Sequence, residues 1–155
     1  MSVCQAIRSH QQRLDATFSR ASQLNSDAEL LSDFAKYLCV LVSGFVERSF
    51  SEIALEHAKL SGSKSLQRYI ERHTKNFTNA NSDKILKFLG SFDPFWQKQM
   101  ESFLVDERKA AIDSVYGLRN SIAHGGSTGI TYIRITNYYK SIKDVVSFAE
   151  RMCVT

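Results

Sequence analysis

Apolar positions recur along nearly the whole chain at steps of three and four, the spacing that gathers them on one face of a helix. Over residues 3–23 the set Ile7, Leu14, Phe18 and Ala21 falls near one face and the remainder is polar, which predicts an amphipathic first helix. Asn25-Ser26-Asp27 interrupts it, and Ser26 with Glu29 fits a capping box. The second helix is predicted over 27–59 and is the longest. Leu31, Phe34, Leu38, Leu41, Phe45, Ser49 and Ile53 form its stripe, and Val42 and Val46 widen it to the breadth expected at the centre of a bundle. At about 1.5 Å per residue it would run about 50 Å, long enough that a bend is expected. Gly62 marks its end.

A third helix is predicted over 63–79, with Leu66, Tyr69, Ile70, His73 and Phe77 on one side and Lys64, Arg68, Arg72 and Lys75 on another. A turn at 79–82 leads to a short fourth helix, 83–89, closed by Gly90. Asp93-Pro94 is a restart, with aspartate at the N-cap and proline at the first helical position. Helix then continues through Trp96, Met100, Phe103 and Leu104, bends near Val105-Asp106, and runs on through Ile112, Val115, Tyr116 and Ile122. Gly125, Gly126 and Gly129 form a loop. Thr131 caps a last helix whose Ile135, Tyr138, Ile142, Val145 and Ala149 face inward. The expected fold is all-α: four main helices with shorter additions, in one domain over 1–155. An N-terminal amphipathic helix, 1–26, precedes a bundle core, 27–153.

Composition agrees with this pattern. One proline and seven glycines leave little material for a many-stranded sandwich. The net charge of +4 permits a nucleic-acid partner without requiring one. Cys4, Cys39 and Cys153 are odd in number and far apart, with no zinc spacing, so a reducing cytoplasm is expected and Cys39 reads as a small core residue. The longest apolar run, 38–46, is broken by Ser43 and Gly44. It falls short of the roughly 20 residues a membrane span needs, so no membrane partner is expected. The first ten residues lack the apolar core of a signal peptide.

The chemistry lies in Leu118-Arg119-Asn120-Ser121-Ile122-Ala123-His124-Gly125-Gly126. Ile112, Tyr116, Arg119 and Ala123 are spaced four, three, four, so Arg119 occupies an inward or boundary slot. A permanent guanidinium there calls for a carboxylate or a phosphate. His124 sits where the helix must stop, and Gly125-Gly126 supplies permissive backbone. On an unbroken helix Arg119 and His124 would stand about 140° apart. They converge on one substrate only if the helix ends near Ala123 or if two chains each donate the pair. Asn120, four before His124, shares its face. Gly117 is a poor helix residue by about 1 kcal/mol, and is expected to let another helix come close.

RNA carries its own nucleophile, the 2′-hydroxyl. Histidine can take that proton or protonate the leaving 5′-oxygen, and arginine can hold the phosphate. No metal or cofactor is required, and the products would be a 2′,3′-cyclic phosphate and a 5′-hydroxyl. Spacing alone favours a plainer reading, a helix-terminal cap with the arginine held by an internal carboxylate.

The flanking residues shift the balance. R-N-x-x-x-H followed by glycine, with the segments YLCVLVSGFVERSF, FLGSFDPFW and LRNSIAHGGSTGITYIRITNYYK, resembles the HEPN superfamily and especially its RiboL-PSP-HEPN subgroup, over about 27–153. The resemblance implies a HEPN-like four-helix bundle acting as a homodimeric RNase, with two R-x(4)-H motifs meeting across a two-fold axis. It implies Arg119 and His124 as catalytic residues, Asn120 as an orienting residue and Glu47 as an acidic residue on an earlier helix. The same family includes toxins and phage-defence effectors, so an antitoxin or inhibitor protein is a further expected partner. It also includes non-catalytic members that bind RNA or protein. A nucleotide-binding helical domain ranks last.

Other residues carry two readings. Glu47 fits a catalytic acid, but more simply a salt-bridge partner, to Arg48 of another chain or to Arg119. Lys64, Arg68, Arg72 and Lys75 fit an RNA-binding stripe, but more simply a solvated face. Of the Tyr138-Tyr139 pair, at least one ring is expected in the bundle, and Tyr139 is the candidate to stack on a base. His73 reads as a hydrogen-bonded boundary residue, His10 and His57 as surface, and Trp96 as core or interface.

Overall fold

The computed structural model describes residues 4–24, 27–126 and 129–154. Among these residues the chain forms seven helices and no strand. They are α1 (Gln5–Ala21), α2 (Ala28–Ser61), α3 (Lys64–Thr74), α4 (Ser82–Phe92), α5 (Pro94–Phe103), α6 (Asp106–Ala123) and α7 (Tyr132–Val154). Four are long and three are short, as the periodicity predicts. α2 packs against α1, α3, α6 and α7, and α7 also packs against α6 and α5. The 34-residue α2 is therefore the central post of the bundle.

The core explains that role. Leu38, Cys39, Val42, Phe45, Phe50 and Ile53 of α2 meet Ile112 and Val115 of α6 and Ile135, Ile142 and Val145 of α7 in one buried cluster. Fully burying a side chain such as Phe45 or Leu38 contributes about 1.5–3 kcal/mol. The inward face of α2 is rotated from the expected stripe, because Ala35, Cys39 and Ser43 are buried while Leu31, Phe34 and Leu41 are half-exposed. Small residues let α6 approach closely, and the Cys39 Sγ lies 3.8 Å from the Val115 carbonyl. Burial pushes the Cys39 thiol up to about 11, and that of Cys153 to about 12 with a lesser push from Asp93.

Several boundaries differ from expectation for identifiable reasons. Asp27 caps α2, its carboxylate accepting from the Leu30 amide at 3.0 Å; Ser26 lies outside the described residues. Ser63 caps α3, but that helix stops at Thr74, where the Ser51 hydroxyl of α2 donates to the Thr74 carbonyl at 2.8 Å. The chain then turns Phe77 into the core against Phe88. Gly90 does not close α4, which runs to Phe92; it lies where any Cβ would strike the Gln97 side chain, so it brings α5 close. Asp93 caps α5 by accepting from the Phe95 amide, with Pro94 in the first turn. The expected bend near residue 105 is a full break between α5 and α6. Asp106 there has φ +52°, a left-handed backbone that aspartate tolerates better than most residues. Thr131 caps α7, accepting from the Arg134 amide at 3.1 Å. Within α7 the buried tyrosine is Tyr139, and Tyr138 is half-exposed.

Candidate functional site

The end of α6 is built by its glycines. The Gly125 amide donates to the Ile122 carbonyl and the Gly126 amide to the Ser121 carbonyl at 2.7 Å, while Gly125 has φ +74°. This paired closure satisfies two carbonyls that would otherwise be orphaned, and it needs a left-handed residue at Gly125. A Cβ on Gly126 would sit 2.9 Å from the Ser121 oxygen, so both positions favour glycine. His124 is the cap residue of this closure, outside the helix and exposed, with its amide bonded to the Asn120 carbonyl at 3.1 Å.

Arg119 lies one turn earlier and is half-buried, in the boundary slot its spacing predicts. Its partner differs from the expected carboxylate. Nη1 donates to the Asn79 Oδ1 at 3.3 Å, and a longer contact of 3.5 Å reaches the Asn120 Oδ1. Two neutral amide oxygens orient a guanidinium without neutralising it, which leaves its charge available to an anion. Asn79 holds this position with φ +56°, a conformation asparagine adopts more readily than most residues. Sequence reasoning missed Asn79. It marked only the turn at 79–82, and a bond to a residue 40 positions away leaves no local pattern.

Asn79 directly follows Thr78, which lines a cleft of about 560 Å³ between α2 and the α3 end. Glu47, Arg48 and Glu52 line it from α2, Arg72 and Lys75 from the α3 side, with Phe77 on its wall. Glu47 therefore lines a cleft, whose lining residues include none of Arg119, Asn120 and His124. It accepts a hydrogen bond from the Ser43 hydroxyl at 3.4 Å, while the ion pair of this segment runs from Arg48 to Glu52 at 3.8 Å.

The basic stripe divides. Lys64, Arg68, Arg72 and Lys75 are all exposed, but only Arg72 and Lys75 reach the cleft. Leu66 and Tyr69 of α3 are exposed, not inward as their spacing suggests, because α2 is the helix that α3 packs against. His73 is exposed on this face. Tyr139 is not presented to a base: its ring is buried and stacked on Phe18 at 4.6 Å, and its hydroxyl donates to Asp15 at 2.6 Å. Burial and the Asp15 carboxylate push its pKa above the usual tyrosine range.

Two histidines expected at the surface are partly buried. His57 meets the Cys153 carbonyl at 2.9 Å through Nδ1 and stands edge-on to Trp96 at 4.7 Å. His10 stands edge-on to Phe45, and burial, helped by Arg13 and Arg48, lowers its pKa below 6.5. Gly117, expected to admit another helix, is exposed, and a Cβ there would meet nothing within 4 Å among the described residues.

The RiboL-PSP-HEPN family model matches residues 4–154. This chain belongs to the RiboL-PSP-HEPN family. The match takes in α1 as well as the bundle from α2 onward, so the HEPN domain extends over the first helix too. No curated protein and no solved structure matched the chain. No helix of this HEPN domain, among the described residues, is long and apolar enough to cross a membrane.

Proposed function

We propose that the protein is a metal-independent endoribonuclease of the HEPN type, acting as a homodimer in the cytoplasm. The observation that carries this reading is the state of Arg119: a half-buried guanidinium held by amide oxygens, one turn before an exposed histidine at the end of the same helix. In the proposed reaction Arg119 binds the scissile phosphate and offsets charge developing on its non-bridging oxygens. An imidazole takes the 2′-hydroxyl proton as O2′ attacks phosphorus. The P–O5′ bond breaks, and the leaving oxygen takes a proton from a second imidazole. The products are a 2′,3′-cyclic phosphate and a 5′-hydroxyl.

One chain supplies one His124, and its environment differs from that of Arg119: the histidine is exposed, the arginine turned toward Asn79. Two copies would supply acid and base together, with Asn120 and Asn79 orienting Arg119. Glu47, in the neighbouring cleft, serves as the accessory carboxylate. A toxin or phage-defence role, with an antitoxin or inhibitor protein as partner, follows from the family resemblance.

The test is cleavage of single-stranded RNA or tRNA in EDTA. Cutting with cyclic-phosphate ends is expected, and His124→Ala should abolish it without loss of helicity. Activity that disappears with chelator, or survives loss of both Arg119 and His124, overturns the reading. The second reading, a non-catalytic HEPN module, treats the Arg119–Asn79 bond as a structural tie and predicts RNA or protein binding with no cutting.

A further inference from the structure

α3 holds an unused arrangement. Lys64, Arg68, Arg72 and Lys75 stand against the single anion Glu71, so the segment 64–75 carries three of the chain's four net positive charges. On the same helix Tyr69 is 56% exposed, and the His73 ring stacks on it with centroids 3.9 Å apart at 28°. The His73 Nδ1 lies 2.9 Å from the Tyr69 carbonyl; since the carbonyl can only accept, that nitrogen carries the proton, and the bond fixes the imidazole over the phenol. Two aromatic rings are thus held together at the surface before any ligand arrives. Tyr69 and Arg72 are three apart, as are Arg72 and Lys75, so the rings lie beside the two cations that line the cleft. That cleft also contains Thr78, whose neighbour Asn79 holds Arg119.

We propose that this face of α3 binds single-stranded RNA flanking the cut, with an unpaired base stacked on the Tyr69–His73 pair and the adjoining phosphates on Arg72 and Lys75. Exposed rings among cations are how proteins hold unstacked bases, whereas a duplex offers no free base face. Glu47, Glu52 and Glu71 also line the cleft, so phosphates are held by position at Arg72 and Lys75, not by a general positive field. Glu52 is already paired with Arg48, and Glu47 takes the Ser43 hydroxyl, which leaves Glu71 as the anion on α3 itself. The inference deepens the ribonuclease reading and rests on it for the direction of the strand, toward Arg119.

The experiment measures anisotropy of a labelled 12-nucleotide RNA with the full-length His124→Ala protein, so that the RNA stays intact, and compares it with the same RNA in a duplex. Tyr69→Ala is expected to weaken single-strand binding about tenfold, the loss of one base stack, and Tyr69→Phe to retain most of it. Arg72→Glu with Lys75→Glu should weaken binding at least as much. Removing the two contacts should lower the slope of log affinity against log salt by about 0.7 each. All three positions are solvent-facing, and circular dichroism confirms the fold. Unchanged affinity in Tyr69→Ala and in the charge-reversed variant overturns the proposal, including in favour of a protein partner for this face; so does equal affinity for the duplex. RNA binding that depends on these residues in a wild-type protein that never cuts would keep this inference and remove the ribonuclease reading. Cutting with an unaltered KM in the α3 variants would do the reverse.

Discussion

The Arg119 guanidinium donates to the Asn79 side-chain oxygen at 3.3 Å, joining the last turns of α6 to the turn that opens α4. The bond spans 40 residues of sequence and ties Arg119 to the residue that follows Thr78, which lines a cleft between α2 and the end of α3.

Asn79 serves the site in two ways that substitution can separate. Asn79→Ala removes the oxygen and also strains a left-handed backbone, at about 1–2 kcal/mol. Asn79→Gly removes the oxygen and accepts the backbone. Both variants should cut RNA more slowly, and only the alanine variant should melt clearly earlier. Thermal melts beside cleavage rates check this; full activity in Asn79→Gly would show that Arg119 needs no such holder.

Glycine to alanine should have opposite signs on either side of His124. At Gly117 the helix is regular and an added methyl meets nothing within 4 Å among the described residues, so stability should rise by about 0.5–1 kcal/mol. At Gly125 the positive φ makes alanine cost about 1–2 kcal/mol and releases the closure that fixes His124. Denaturant melts read both. A Gly117→Ala protein that is more stable yet dimerises or cuts poorly would place a second copy against that helix face.

His10 should make stability fall as pH drops. Its folded pKa lies below the ordinary 6.5, so between these values the unfolded chain binds more protons than the folded one. Stability from this group is whole above about pH 6.5 and is lost as pH falls toward the folded value. The Nδ1 is buried with no hydrogen-bond partner among the described residues, so protonation finds no compensation from them. Melting temperature followed from pH 7.5 to 5.5 should decline more in wild type than in His10→Phe; parallel curves would refute the assignment.

Tyr139→Phe should reduce stability and leave RNA affinity alone. The lost hydroxyl bond to Asp15 is charge-assisted, short and partly buried, and is worth about 1–2 kcal/mol. Melts and anisotropy together decide the matter: weakened RNA binding at unchanged stability would return Tyr139 to the site.

Local pattern determined much of this protein. Helical periodicity, the Asp93-Pro94 start, the Thr131 cap and the Gly125-Gly126 stop each act within about one turn of chain, and each stands where the residues indicate. The boundary position of Arg119 and the emergence of His124 from α6 follow from the same short-range physics. Tertiary packing decided what Arg119 touches, which of two adjacent tyrosines turns inward, and where α3 stops. It also decided that Leu66 and Tyr69, apolar at helical spacing, face solvent, because α2 covers only part of a short helix. Periodicity specifies a face; the number of neighbours available to bury it depends on contacts between residues far apart in the chain.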